Sequence, residues 1–571
     1  MKRIISIIFL LLTVLQLKAQ LTEDEIKDLS KQTTEYFNYK NYINALYGYE
    51  KLLIYDSTST EYNHRIAICY LNTELDKKKA VSYLEVVVKK ERFDPAAWYD
   101  LGEAYMHALR YDDAIMAFNK YKKNIKDDGH FVTADRQIEM CNNAKELVVN
   151  PLDVEFENMG EEINSPYPDF NPYIPRDESF LIFTSKRAKN MGNWMDFDGY
   201  SLSDILVSDY KKDKWQEADH ISSQINSAMV EEVVGLSADG TTMFIYMDNM
   251  TAFTDVYKSE KGKRSFDRPE SLGMGINSSS LETSATISLN KKVIFFVRDV
   301  GEKSGGLDIF VSRKLPSGEW SEPENIGAPI NTAYDEDFPV LASDGETFYF
   351  SSMGHNSMGG FDVFKSTWDK DANSFTKPEN IGYPINTSDD ESTISYSESG
   401  RHAYVAAVRD EGFGCRDIYR LTFPEIEMHL NLVEGEILNS DSMNLYAANR
   451  INKVILDSLK RGVDTLFTKN MSGEDSALVM EFNYVMMEQY RYLQENVMDK
   501  IDITIRAVNK YTKEEVAVYR PNENNGRYVM VLPPGEYQIE YYCNDKDVKI
   551  VEYHFRDHES AKEQLIWNIV L

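Results

Sequence analysis

Glu324-Asn-Ile-Gly-Ala-Pro-Ile-Asn331 decides the fold because it does not stand alone. Variants of it occupy 157–164, 219–226, 270–277 and 379–386, five copies in all, the last four at intervals of just over 50 residues. An Asp-Ile or Asp-Val pair recurs with them, beginning at Asp204, Asp255, Asp308, Asp362 and Asp417. Between these landmarks lie β-rich segments such as Val293-Ile-Phe-Phe-Val297 and Thr347-Phe-Tyr-Phe-Ser351, with Asp-Gly turns at Asp239-Gly240 and Asp344-Gly345. A late aromatic, Trp215, Phe266, Trp320 or Phe375, completes four of the units.

Units of this length made of four short strands read as blades of a β-propeller over residues 150–424. The fifth unit stops at Pro424, before its own closing segment, while one copy of that segment, 157–164, stands unattached at the front. Residues near 152–163 are therefore expected to supply the outer strand of the last blade, which closes the ring and removes its edges. Five blades follow, with six as the alternative count.

Outward from this array the periodicity changes. In residues 20–149, Tyr36, Tyr70 and Tyr105 are 34 and 35 apart, and Ala45, Ala80 and Ala114 are 35 and 34 apart. Small Gly102 and Ala114 let paired helices approach, and Trp98, Tyr105 and Phe118 fill the space between pairs, which predicts stacked helical repeats. Residues 425–571 read as a small β-sandwich: a strand at Leu430–Leu438, the alternating Ile501–Val508, then Asn525-Gly526 and Pro533-Pro-Gly535 turns. Helical spacing at Asn444–Leu459 and Ser476–Val497 marks an insertion over about 441–500. The expected fold class is thus multidomain α plus all-β.

Met1-Lys2-Arg3 followed by the apolar Ile4–Leu17 reads as a signal peptide over 1–19, cleaved before Gln20. No cysteine stands at that junction, so no lipid anchor is expected there. Losing Lys2, Arg3 and Lys18 takes the basic count from 62 to 59 against 93 acids, a net charge of about −34. Such a surface repels phosphate, which excludes nucleic acid as a partner class. Cys69, Cys141, Cys415 and Cys543 are scattered, no disulfide framework; Cys69 and Cys141 share a region, but buried thiols are the expected state.

In this order the three segments resemble tetratricopeptide repeats, WD40-like repeats of the TolB and tricorn type, and a carboxypeptidase-regulatory-like domain. The residues that carry the resemblance are Trp98, Leu101, Gly102, Tyr105, Ala114 and Phe118; the Asn-Ile-Gly-x-Pro-Ile-Asn and Gly359-Gly-Phe-Asp-Val-Phe364 elements; and Tyr519-Arg-Pro-Asn522 with the run ending at Gly535. The arrangement is similar to Bacteroidetes envelope proteins, in particular the PorE-type periplasmic component of type IX secretion and gliding. That implies a non-enzymatic periplasmic scaffold, associated with the outer membrane through its partners, other envelope proteins. The chain departs from the pattern in lacking a lipidation cysteine and an OmpA-like domain, so direct peptidoglycan binding is not expected. The resemblance also implies a concave groove for a partner, lined by Glu61, His64, Ile68 and Asn72 in the second repeat and Tyr99, Glu103, Met106 and His107 in the third.

Enzyme motifs are missing from the sequence: there is no Gly-x-Ser-x-Gly elbow, no His-Glu-x-x-His helix, no phosphate-cradling glycine loop and no Cys-x-x-Cys. His554 and His558 near Asp557 lack a third ligand. Asp335-Glu336-Asp337 and Asp389-Asp390-Glu391 offer oxygen ligands of the calcium kind, but acids that recur with a fold usually serve it. No catalytic residue, metal or cofactor is therefore assigned. Behind the scaffold reading stand a glycan- or peptide-binding propeller, hinted at by Arg409 and Arg416, and a propeller-borne hydrolase.

Overall fold

The computed structural model describes residues 21–571 apart from 126–128, 213, 249–254, 264, 302–304, 427–430, 467–475, 534, 545, 556–564, 567 and 571. The expected signal segment and His558 lie outside the described residues. The chain forms two compact units that divide at Glu425.

Among the described residues the first unit opens with seven α-helices: α1 (Glu23–Asn38), α2 (Tyr42–Leu53), α3 (Thr60–Leu71), α4 (Ala80–Val87), α5 (Ala97–His107), α6 (Tyr111–Asn124) and α7 (Ala134–Leu147). Side chains at the starts explain where several begin. Thr22 and Glu25 form a reciprocal capping box on α1, and Asn41, Ser59 and Thr133 cap α2, α3 and α7. Ala45, Ala80 and Ala114 are fully buried. A Cβ on Gly102 would stand 2.5 Å from the Phe118 ring, so α5 and α6 pack at a separation only glycine permits. Two of the three recurring tyrosines share one bond: Tyr70 and Tyr105 each donate to a glutamate 20 residues earlier, Glu50 at 2.9 Å and Glu85 at 3.1 Å.

Residues 155–422 then form five antiparallel sheets of four or five strands. Their innermost strands are Asp169–Tyr173, Val230–Leu236, Glu282–Ile287, Glu336–Leu341 and Ile394–Tyr396. Apolar clusters fill the gaps between successive sheets, with Ile182 and Ile245 in one, Phe244 and Phe296 in the next, and Phe295 and Phe348 in a third. Phe183 and Tyr404 join the last sheet to the first, so the sheets close into a ring, a β-propeller. Glu155–Asn158 is the outer strand of the last sheet, paired antiparallel with Asp417–Thr422 from Glu155 opposite Thr422 to Asn158 opposite Tyr419.

The octapeptide repeats because its side chains bond to backbone at fixed offsets. Its last residue clamps the residue after the recurring aspartate: Asn386 Oδ1 accepts from Val363 N at 2.9 Å while its Nδ2 donates to Val363 O at 2.8 Å. Asn164, Asn226 and Asn331 clamp Ile418, Ile205 and Ile309 in the same two-way fashion. Its second residue ties the two landmarks together, as Asn325, Asn380 and Asn158 donate to Asp308, Asp362 and Asp417 at 2.7, 2.6 and 3.0 Å.

The second unit is a sandwich of two sheets. One pairs Asn431–Leu438 with Arg527–Leu532 and, in parallel, with Leu565–Ile566 and Ile569–Val570. The other runs Glu515–Tyr519, Ile503–Asn509, Gly535–Cys543, Lys546–Phe555. Alternate residues of both, among them Val433, Ile437, Ile505, Met530, Ile539 and Tyr541, make the core. Two helices, α8 (Leu445–Leu466) and α9 (Ser476–Asn496), are inserted between its first two strands in sequence.

Candidate functional site

The residues expected along the helical groove fall into two groups. Glu61 pairs with Arg65 one turn on, at 3.0 Å; His64 Nε2 lies 2.6 Å from Asp100 Oδ2; Ile68 is half-buried; and Asn72 is exposed. The other four are covered by the protein itself. Tyr99 is buried, its ring stacked 3.8 Å from that of His130 and its hydroxyl donating to Val132 O at 2.6 Å, so it packs the helices instead of facing outward. Met106 is buried as well; its carbonyl accepts from Ser388 Oγ of the propeller at 3.1 Å. His107 Nδ1 lies 3.3 Å from Asp389 Oδ1, and Glu103 accepts from Gln137 Nε2 at 3.2 Å.

The hairpin between Thr347–Ser352 and Asp362–Asp369 packs against the helices. Met358 is fully buried within the helical core cluster. Arg136 of α7, only 4% exposed, donates to three successive carbonyls of the hairpin, Met353 and Gly354 at 2.8 Å and His355 at 3.2 Å. Asn143 donates to Ser357 O at 2.9 Å. The double glycine at the hairpin's end is a spatial requirement: a Cβ on Gly359 would meet backbone atoms of Thr387 and Ser388 at 2.5–2.6 Å.

Charge locks the same seam. Lys77 Nζ is 2.9 Å from Asp389, Lys78 Nζ 3.1 Å from Asp410, and Arg416 Nε 3.0 Å from Glu74. Arg409, the other arginine singled out in the sequence, lies over the Phe156 ring at 4.0 Å and pairs with Glu411. A cavity of about 210 Å³ remains between Lys77, Glu103, His107, Asp389 and Asp390, and a wider cleft of about 460 Å³ opens beside it along Lys77–Lys79, Arg409 and Asp410.

The acidic triplets resolve into two roles. Glu336 and Glu391 accept from the backbone N and hydroxyl of Thr332 and Thr387, and Asp169, Glu231 and Glu282 do the same for Ser165, Ser227 and Ser278. Asp335 and Asp390 accept from Leu307 N and Phe361 N at 2.8 and 2.9 Å. The two triplets therefore align one residue apart: Asp337, which accepts from the Thr283 and Ser284 hydroxyls, has no acid opposite it, and Asp389 stands where the other sheet has Tyr334. Both dock the helices: Tyr334 lies beneath Arg136 at 4.9 Å and against Phe131, and Asp389 holds Lys77. Among the described residues, no three metal-ligating side chains of the His, Cys, Asp and Glu kind converge.

Burial sets the proton affinities here. It pushes the Glu103 carboxyl up to about 8, with the neighbouring Asp100 charge adding to the effect, and the Asp362 carboxyl up to about 7. Burial and the charge of Asp362 raise Glu391 well above the carboxylate range. Burial pushes the His107 imidazole down to about 4. Against the burial that would raise it, Lys77 and His107 hold Asp389 below the ordinary carboxylate range.

The raised acids carry protons in the folded chain that the unfolded chain releases near pH 4, so their contribution to stability is full below about pH 4 and is lost as pH rises through their folded values. His107 has the opposite sign, costing stability as pH falls from 6.5 toward about 4. Above pH 6.5 only the carboxyls among these groups titrate. Melting curves should therefore shift to lower temperature between pH 6.5 and 8.5, and Glu103→Gln should flatten the shift; a melting temperature that rises over this window would refute the assignment.

A second surface feature faces solvent. Between Phe180–Ser185 and Asp204–Lys211, a loop presents Trp194, Met195 and Phe197, which are 65, 64 and 68% exposed. The loop is braced: Lys186 bonds Asp196 at 2.8 Å and Asp198 at 2.5 Å, and Asn190 donates to Ser185 O and Leu202 O. Sequence reading missed this loop, although Trp-Met-Asp-Phe at 194–197 interrupts the repeat and so signals a function other than blade packing.

No family model and no curated protein matches the chain. Among solved structures it is similar to TolB from Acinetobacter baumannii, at 16% identity over 46% of this chain and 56% of that one, with a TM-score of 0.29. It is also similar to a glycoside hydrolase, at 11% identity over 49% of this chain and 94% of that one, TM-score 0.35. A third is the β-propeller domain of the Trilobed protease from Pyrococcus furiosus, at 11% identity over 44% and 68%, TM-score 0.23. The chain spans little more than half the length of that TolB, and likeness of this degree assigns neither activity nor partner. None of the helices among the described residues is long and apolar enough to cross a membrane.

Proposed function

We propose that this chain is a non-enzymatic scaffold of a bacterial envelope, acting in the periplasm. In this reading α1–α7 are tetratricopeptide-type repeats, the ring is a five-bladed WD40-like propeller closed by its own first strand, and the second unit is a carboxypeptidase-regulatory-like sandwich. Its partners are other envelope proteins, in a secretion- or gliding-type complex or a paralogous one. The braced loop carries the proposal. Three large apolar side chains held in solvent at a fixed place form an anchor for a protein partner, since aromatic residues supply most interface energy. The acids that recur in the blades, by contrast, are spent on backbone groups. A net charge of −31 selects partners with basic rims.

A peptide-binding reading is favoured by the cleft of about 460 Å³ along Lys77–Lys79, large enough for a few side chains. Affinity purification from the native envelope after mild crosslinking separates the two. The scaffold reading predicts stoichiometric envelope proteins that are lost with Trp194→Ser plus Phe197→Ser at an unchanged melting temperature. Recovery of the chain alone would overturn it.

A further inference from the structure

Helices α8 and α9 of the second unit leave an apolar stripe in solvent. On α8, Ile451, Val454 and Ile455 are 58, 67 and 42% exposed; on α9, Phe482, Val485 and Tyr492 are 64, 52 and 65% exposed. Singly exposed apolar residues are ordinary, but these are in register. Positions 482, 485, 489 and 492 step by three, four and three, the spacing of a helix seam, with Gln489 at the one polar place. Among the described side chains of the insertion, the buried apolar ones are Leu445, Tyr446, Ala448 and Leu493, at its root.

Charge says what covers the stripe. Along α8, Arg450, Lys453, Lys460 and Arg461 outweigh Asp457 and Asp464, for a net +2. Along α9, Glu481, Glu488 and Glu495 outweigh Arg491, for a net −2. An acidic partner surface would suit α8 and be repelled by α9, and a basic one the reverse. A second copy turned about a two-fold axis suits both at once, because each α8 then meets the other copy's α9. We propose that this helical pair associates with the same pair of a second copy, making a four-helix bundle that joins two chains. Helices about 30 Å long, packed two against two, bury an area in the range of stable interfaces.

The test uses the full chain in sedimentation velocity from about 0.1 to 50 μM. The expected result is a mass rising to that of two chains, with Val454→Ser plus Val485→Ser weakening association roughly 100-fold while the melting temperature of the dilute chain is unchanged. Charge inversion makes the test specific. Lys460→Glu with Arg461→Glu turns α8 acidic, and Glu481→Lys with Glu488→Lys turns α9 basic. Each of these two proteins should be monomeric alone, and an equimolar mixture should form a heterodimer. A wild-type chain that stays monomeric at 50 μM, or inverted chains that do not pair with each other, would overturn the proposal.

Discussion

Asn386→Leu is expected to destabilise the first unit by about 2 kcal/mol, since it takes the side-chain acceptor from the buried Val363 N–H and one donor each from the Val363 carbonyl, which keeps Ile381 N, and from Asn380 Oδ1, which keeps Gly382 N. Leucine fills the space, so the loss measures the hydrogen bonds and not a cavity. Asn277→Leu is the internal control. Asn277 donates to Val256 O at 2.9 Å but is only partly buried, and its oxygen takes Leu272 N in place of the two-way clamp. About half the effect is expected there. Urea unfolding of both variants decides the matter; equal and small losses would mean that the recurring asparagines do not hold the ring.

Arg136→Met has the second large effect. Methionine keeps much of the side chain's bulk but strips three hairpin carbonyls of a charged donor, which is worth roughly 3 kcal/mol or more. The hydrogen bonds of Arg136 go to the hairpin and its ion pair to Glu139 on its own helix, so the loss falls on docking. The single unfolding transition of the first unit should split, with the helices melting before the propeller. One unsplit transition at the wild-type temperature would show that the seam is held elsewhere.

Much of the architecture was legible because it rests on side chains that bond to backbone at fixed offsets. An asparagine that must clamp the residue after an aspartate recurs wherever that geometry recurs, so the octapeptide and the Asp-Ile pairs announce the sheets together. The displaced first copy pointed to the strand Glu155–Asn158 beside Asp417–Thr422 for the same reason. The site was less legible. Met106 and His107 lie at the C-terminal end of α5, and what meets them, Ser388 and Asp389, comes 282 residues later in the chain, so no local periodicity encodes that contact. The sequence did hold one usable signal. Tyr334 and Asp389 occupy the same place in successive sheets yet differ in kind, and aligning the triplets by number of acids instead of by the capping glutamate hid the mismatch. Tyr99, expected to line a partner surface, is buried against His130 and Val132, segments that no spacing within α5 announces.

The central claim is that the propeller's own hairpin is docked on the helices, held by Arg136 and Asn143 of α7. Hydrogen exchange on residues 353–361 tests it most directly. The backbone of a solvent-facing hairpin tip exchanges fast, whereas one packed under α5 and α7 exchanges only when the docked helices lift away. The account predicts protection of Met358 and Gly359 approaching that of the neighbouring strand Asp362–Asp369, lost in Arg136→Met. Exchange at the rate of a free loop in the wild-type chain would contradict it.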